Sequence, residues 1–208
     1  MNVIEAIHGR RSIRAYRSEP VDRGTIEDAI WDAVQAPTPP VSGDTPWRFC
    51  VVEGTERIAG YGLRARDYVS QHQPPGRPQT WVDRPGFKVF WDAPVLVLIC
   101  ARNGNPETHF DCCRAGQNLM LSVHARGLGS CWVGAPLLWL TSPGVAAELG
   151  LPDGFVPVVA MVLGPAAETP AGQPRPRPAI TWCDAPAVGL GVRADATGPG
   201  GATDRGAA

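Results

Sequence analysis

Two hydrophobic rhythms alternate along this chain. Residues 94–101 form a continuous, valine-rich apolar run, the pattern of a strand covered on both faces, and residues 155–163 repeat it as a final core strand. Residues 47–52 predict a first strand. Between these runs the apolar positions recur at helical spacing. Residues 2–9 carry Val3, Ile4 and Ile7, with Asn2 as a cap. Residues 22–35 carry Ile26, Ala29, Ile30, Ala33 and Val34 as a buried stripe that Pro37 ends. A third helix is expected from Thr55, as its cap, to about Gln71. Residues 108–126 are apolar over most of the circumference, including Cys112, Ala115, Gln117, Leu119 and Val123, which predicts a buried central helix, available also as a subunit interface. Gly127 stops it, residues 128–134 read as a strand or strand-like turn, and residues 141–149 as a short helix. Alternating elements without repeats imply an α+β fold, a mixed sheet with helices against it.

The interruptions are informative as well. Residues 36–46 contain Pro37, Pro39, Pro40 and Pro46 among small polar residues, a stiff loop. Residues 72–85 form a surface excursion bearing Trp81, with Phe87, Phe90 and Trp91 just beyond it. Such aromatics serve either as a lid over a flat ligand or as a flap packed on its own core. After Gly164, Pro170, Pro174, Pro176 and Pro178 enclose Arg175 and Arg177, so the chain there is extended. From about residue 193 it becomes a Gly, Ala and Asp tail with no apolar pattern, the composition of a flexible end.

Composition narrows the class of protein. A chain of 208 residues, 44% hydrophobic, is expected to form one domain over residues 1–180 with an extension over 181–208. Its formal net charge of -1 provides no field for nucleic acid or an anionic membrane. No run approaches the roughly 20 apolar residues of a membrane helix, and the first residues lack a secretory pattern, so a cytoplasmic protein is expected. The six cysteines show no C-x-x-C spacing and the four histidines are scattered, which argues for inert thiols and against a metal site.

Candidate chemistry begins at Arg10-Arg11-Ser12-Ile13-Arg14. In an extended segment Arg10, Ser12 and Arg14 share one face, two guanidinium forks and a hydroxyl suited to a phosphate dianion. The alternative is a solvated basic patch at a helix end. Other phosphate motifs fail: Gly127-Leu128-Gly129 has Trp132 where a dinucleotide fingerprint needs its third glycine, and neither a P-loop nor a G-x-S-x-G elbow occurs.

The arginine segment, Ala36-Pro37-Thr38 followed by Pro46-Trp47-Arg48-Phe49, Gln117-Asn118-Leu119 within the central helix, the run from Gly127 to Pro136, and Arg175-x-Arg177 occur in the order seen in nitroreductase-like flavoproteins, which the chain resembles over roughly residues 2–180. That resemblance implies a mixed, mainly antiparallel sheet flanked by helices, in a homodimer with FMN at the subunit interface and an extended C-terminal segment wrapping the partner. By matched position, Arg10, Arg11, Ser12 and Arg14 would hold the flavin's phosphate and pyrimidine edge, and Arg175 and Arg177 would close over the phosphate. Thr38, Pro39, Asp44 and Thr45 would reach the flavin of the other subunit, and Trp132, Val133 and Gly134 would bring a backbone N–H near flavin N5. Catalysis then belongs to the cofactor, with no catalytic side chain. NAD(P)H would donate hydride and a nitroaromatic, quinone or related small molecule would accept electrons. The loop 38–45 is longer than the family pattern and carries Asp44, which keeps two alternatives open: an FMN-dependent oxidase or dehydrogenase acting on a biosynthetic small molecule without NAD(P)H, and a non-catalytic flavin-binding module. Whether an accessory protein takes part is open at this stage.

Overall fold

The computed structural model describes residues 1–39, 45–73, 80–102 and 106–183. The chain divides into two units, Met1–Gly172 and Gln173–Ala208. The described part of the second unit is exposed, without helix or strand.

The first unit is built on four strands, β1 (Trp47–Glu53), β2 (Val95–Arg102), β3 (Gly129–Trp132) and β4 (Phe155–Gly164), in the order β1-β2-β4-β3. All three strand pairings are antiparallel. Period-two geometry explains why β2 is apolar and buried at every position before Arg102. Val95, Val97, Ile99 and Ala101 enter a cluster with helices α2 (Arg23–Ala33) and α4 (Pro106–Ala125). Leu96, Leu98 and Cys100 enter a second cluster with α3 (Thr55–Gln71) and the short helices α5 (Leu137–Leu140) and α6 (Val145–Glu148). Helices therefore cover both faces of the sheet. Full burial of each such Leu or Ile contributes about 1.5–3 kcal/mol, and this double-faced strand is the energetic centre of the unit.

Local chemistry sets the ends of several helices. Asn2 and Glu5 form a reciprocal capping box on α1 (Val3–Gly9), and the Asp22 carboxylate accepts the Thr25 N–H at 3.0 Å to start α2. Three expectations are corrected. Gly54, not Thr55, stands at the cap of α3, and no side chain bonds there. The helix expected over 141–149 is shorter, α6 starting only after Pro143-Gly144, and a separate helix, α5, precedes it where none was expected. Gln117 lies on the exposed side of α4, whose buried stripe is Cys112, Ala115, Leu119, Met120 and Val123. On α1 only Ala6 is buried, whereas Val3, Ile4 and Ile7 are 64%, 60% and 47% exposed. Their helical spacing marks an apolar face that the described residues leave uncovered.

Candidate functional site

The arginine segment is held to the sheet by its backbone. Ser12 forms a parallel bridge with Ser130 of β3, and the Ile13 N–H donates to the Ser130 carbonyl at 3.0 Å. Three residues on, Tyr16 forms an antiparallel bridge with Ala166, through Arg17 N–H to Pro165 O and Ala167 N–H to Ala15 O, both at 2.9 Å. The first of these contacts requires Gly129. A β-carbon there would lie 2.7 Å from Ile13 Cγ1, closer than packed carbons approach. Ile13 is buried in this contact and Arg14 is exposed. The Tyr16 hydroxyl donates to Ile13 O at 2.8 Å, and burial pushes that phenol far above its usual range.

Each arginine has a different task. Arg11 folds back on α1, donating to the carbonyls of His8, Gly9 and Arg10 at 2.7, 3.2 and 2.9 Å, and so satisfies the helix's terminal acceptors. Arg10 and Arg11 line a cavity of about 280 Å3 together with His124, Ser130 and Glu168. Ser130 is 2% exposed, and its Oγ has no hydrogen-bond partner among the described residues. Leaving a buried hydroxyl unsatisfied costs about 1–3 kcal/mol, so this atom favours a ligand acceptor. Burial, followed by the guanidinium groups of Arg10 and Arg11, holds the His124 imidazole below its usual value. Both observations mark a cavity with a positive potential and a free donor. Glu168 supplies the opposing charge, with its carboxylate accepting the Arg14 main-chain N–H.

Arg14 itself lines a different hollow, of about 450 Å3, where its guanidinium lies 5.5 Å from the Trp91 ring centre. Burial pushes the Cys131 thiol up, against the pull of Arg14, the Ser12 side chain and Arg10. The three side chains expected on one face are thus distributed over one cavity, one hollow and the wall between them. Among the remaining thiols, burial pushes Cys100 and Cys112 up to about 12. No group of three potential metal-ligating side chains occurs among the described residues.

The β3 end supplies the other expected positions. Trp132 lies half-buried over Gly116 of α4, where a β-carbon would come within 2.7 Å of the indole. Val133 donates its N–H to Ala160 O at 2.8 Å, so that donor is committed to the sheet, and Gly134 follows at the exposed end of the strand. Thr38, Pro39 and Thr45 are exposed, Asp44 lies outside the described residues, and Arg175 and Arg177 are exposed residues of the second unit. The aromatic excursion combines both readings of it. Phe90 is a core residue at 2% exposure, whereas Trp81, Phe87 and Trp91 are half-buried, with Phe87 tilted against Trp81 and edge-to-face with Trp91. Sequence reasoning missed Ser130 and His124. The signal for both was their position beside Gly127 and Gly129, at the only place where α4 turns directly into the strand that pairs with the arginine segment.

A four-stranded antiparallel sheet covered by helices, with a cavity lined by arginine where the N-terminal segment meets an edge strand, places the protein in the α+β class. Residues 7–165 match the model of the Nitroreductase family, and the chain belongs to that family. A Methanothermobacter thermautotrophicus protein with the provisional name NADH dehydrogenase/NAD(P)H nitroreductase is 30% identical over 174 residues, 82% of this chain and 80% of that one. A 4-nitrobenzoate reductase of a Nocardioides species is 26% identical over 163 residues, 60% of this chain and 65% of the other. The fold matches the crystal structure of a Bacteroides fragilis nitroreductase with bound FMN, with a TM-score of 0.76 at 22% identity, covering 88% of this chain and 100% of that one.

Proposed function

We propose that this protein is an FMN-dependent oxidoreductase that takes electrons from NAD(P)H and passes them to a small acceptor of the nitroaromatic or quinone type. The observation that carries this reading is the buried, unpartnered Ser130 hydroxyl in the cavity walled by Arg10 and Arg11. That donor set fits a phosphate monoester, two delocalised cations and a hydroxyl being complementary to its oxygens. Arg10, Arg11, Ser12 and Ser130 would hold the phosphate, and Arg14 would place positive charge at the flavin's pyrimidine edge. With Val133 engaged by Ala160, Gly134 is the residue whose N–H would serve the ring. Bound FMN supplies hydride exchange at N5, first with a reduced nicotinamide and then with the acceptor. The protein's residues bind, orient and balance charge, and no side chain transfers a proton in this scheme.

The active form is a homodimer in this proposal. Besides Val3, Ile4 and Ile7 on α1, Trp31 on α2 and Phe110 on α4 are 68% and 63% exposed, and α4 packs directly against both other helices. Apolar groups of this size on adjoining helices suit burial against a second copy. Arg175, Arg177, Thr38, Pro39, Asp44 and Thr45 would then complete the flavin sites across the interface.

An absorbance spectrum of the purified protein, followed anaerobically by NADPH and then NADH, tests the reading. Flavin bands that bleach are expected; bands that persist would favour a substrate-oxidising enzyme. Ser130→Ala and Arg10→Ala should each weaken FMN binding by about 1–3 kcal/mol. Stoichiometric FMN retained by both variants at nanomolar protein would remove the phosphate assignment.

A further inference from the structure

The hollow at Arg14 lies apart from the Arg10 cavity and has its own chemistry. Its walls include Arg14, Arg84, Lys88, Phe87, Trp91 and Asp92. Charge there is unbalanced. Lys88 is ion-paired with Asp92, which leaves the guanidinium groups of Arg14 and Arg84 without a carboxylate partner among the described residues. Each lies over an aromatic ring instead, Arg14 at 5.5 Å from Trp91 and Arg84 at 6.0 Å from Phe87. The Phe87 and Trp91 rings are 6.5 Å apart at 76°, and Trp81 lies 5.6 Å behind Phe87. Two half-buried rings set edge to face thus floor a space bordered by two uncompensated cations.

Arg84 is not needed to hold this wall in place. Arg66 does so, donating from Nε to Val82 O at 2.7 Å and from Nη2 to Arg84 O at 3.3 Å. The guanidinium of Arg84 is left exposed, on a segment fixed independently of it. Trp91 and Asp92, at φ of 50° and 55°, are the two non-glycine residues with positive φ among the described residues. Backbone held in the left-handed region clusters where a surface is shaped for a ligand.

We propose that the hollow of Arg14, Arg84, Phe87 and Trp91 selects acceptors that combine an aromatic ring with a carboxylate or similar anion, and that Arg84 holds the anion. This rests on the oxidoreductase reading, in which Arg14 adjoins the flavin's pyrimidine edge, so a ligand in the hollow lies beside the cofactor. The volume of about 450 Å3 accommodates a substituted aromatic ring. Arg84 is a specificity residue, and it takes no part in electron transfer.

The test is calorimetric titration of the full-length, FMN-loaded protein with 4-nitrobenzoate and with its neutral isostere 4-nitrobenzamide, without reductant. The acid should bind more tightly. Arg84→Gln should weaken the acid by about three- to tenfold and leave the amide within about twofold, whereas Arg84→Lys should retain most of the preference. Equal binding of acid and amide by the unaltered protein, or an acid affinity indifferent to Arg84→Gln, overturns the proposal. So does a selective rise in KM for NADPH in Arg84→Gln with unchanged acid binding, which would assign the cations to the reductant's phosphates. Acid selectivity in a protein whose flavin fails to bleach with NAD(P)H would support the hollow and sink the reductase. Bleaching without selectivity would do the reverse.

Discussion

The arginine segment and the aromatic excursion both bring cations to the site, yet they are held by opposite means. Residues 10–17 are tied through main-chain hydrogen bonds to β3 and to the chain beyond β4, and those bonds are indifferent to the side chains carried. The excursion is held through side chains, by Arg66 reaching the carbonyls of Val82 and Arg84, by rings tilted against one another, and by Phe90 sunk into the core. A backbone anchor gives fixed positions, as an invariant phosphate demands. A side-chain anchor lets the wall's composition change with the ligand it faces.

The contrast can be broken most forcefully at Gly129. Gly129→Ala drives a β-carbon against Ile13, and overpacking of this kind costs about 1–3 kcal/mol. Urea unfolding should register the loss, and FMN affinity should fall with it, because the anchor and the cavity share Ser130. Retained affinity would show that the segment's position does not depend on β3. A smaller effect is expected from Arg66→Ala, about 1 kcal/mol, since the bonds lost are partly exposed. Hydrogen exchange should speed up at residues 81–92 and stay unchanged at residues 12–17; acceleration in both would mean that the two regions are one structural unit.

The smallest effect sharpens the comparison by charge. The folded His124 imidazole titrates below its ordinary value of 6.5, so the unfolded chain binds this proton more readily. Its contribution to stability is complete above about 6.5 and falls as pH drops below that value toward the lower folded pKa. Thermal melts of the apoprotein should show this decline, and His124→Gln should remove it.

How far these features can be read from sequence depends on the range of the interaction that makes them. β2, β4, α2 and α4 were legible because burial on one or both faces writes a periodic pattern into the strand or helix itself. The arginine segment was legible as residue chemistry, and its geometry was not: the division of Arg10 and Arg14 between two spaces follows from where Ile13 meets Gly129, a contact between distant parts of the chain. Ser130 and His124 gave only the signal of their place beside Gly127 and Gly129, since a serine in a strand and a histidine at a helix end are ordinary until a guanidinium is folded against them. On α1 the apolar spacing was read correctly as helical, and it carries no information on whether Val3, Ile4 and Ile7 are covered. The break between α5 and α6 was visible in Pro143-Gly144 and should have been read as a stop.

The anchoring of the arginine segment also determines when in the life of the chain the site can exist. The Arg14 N–H bonds to Glu168, 154 positions later, and Tyr16 pairs with Ala166, so nearly the whole first unit must be synthesised before the first residues made can take their places. Closing so long a loop is entropically unfavourable until the sheet already stands. Affinity for an anion in the Arg10 cavity would therefore appear only late in synthesis, and ligand capture by chains stalled on the ribosome would time the closing of the first unit.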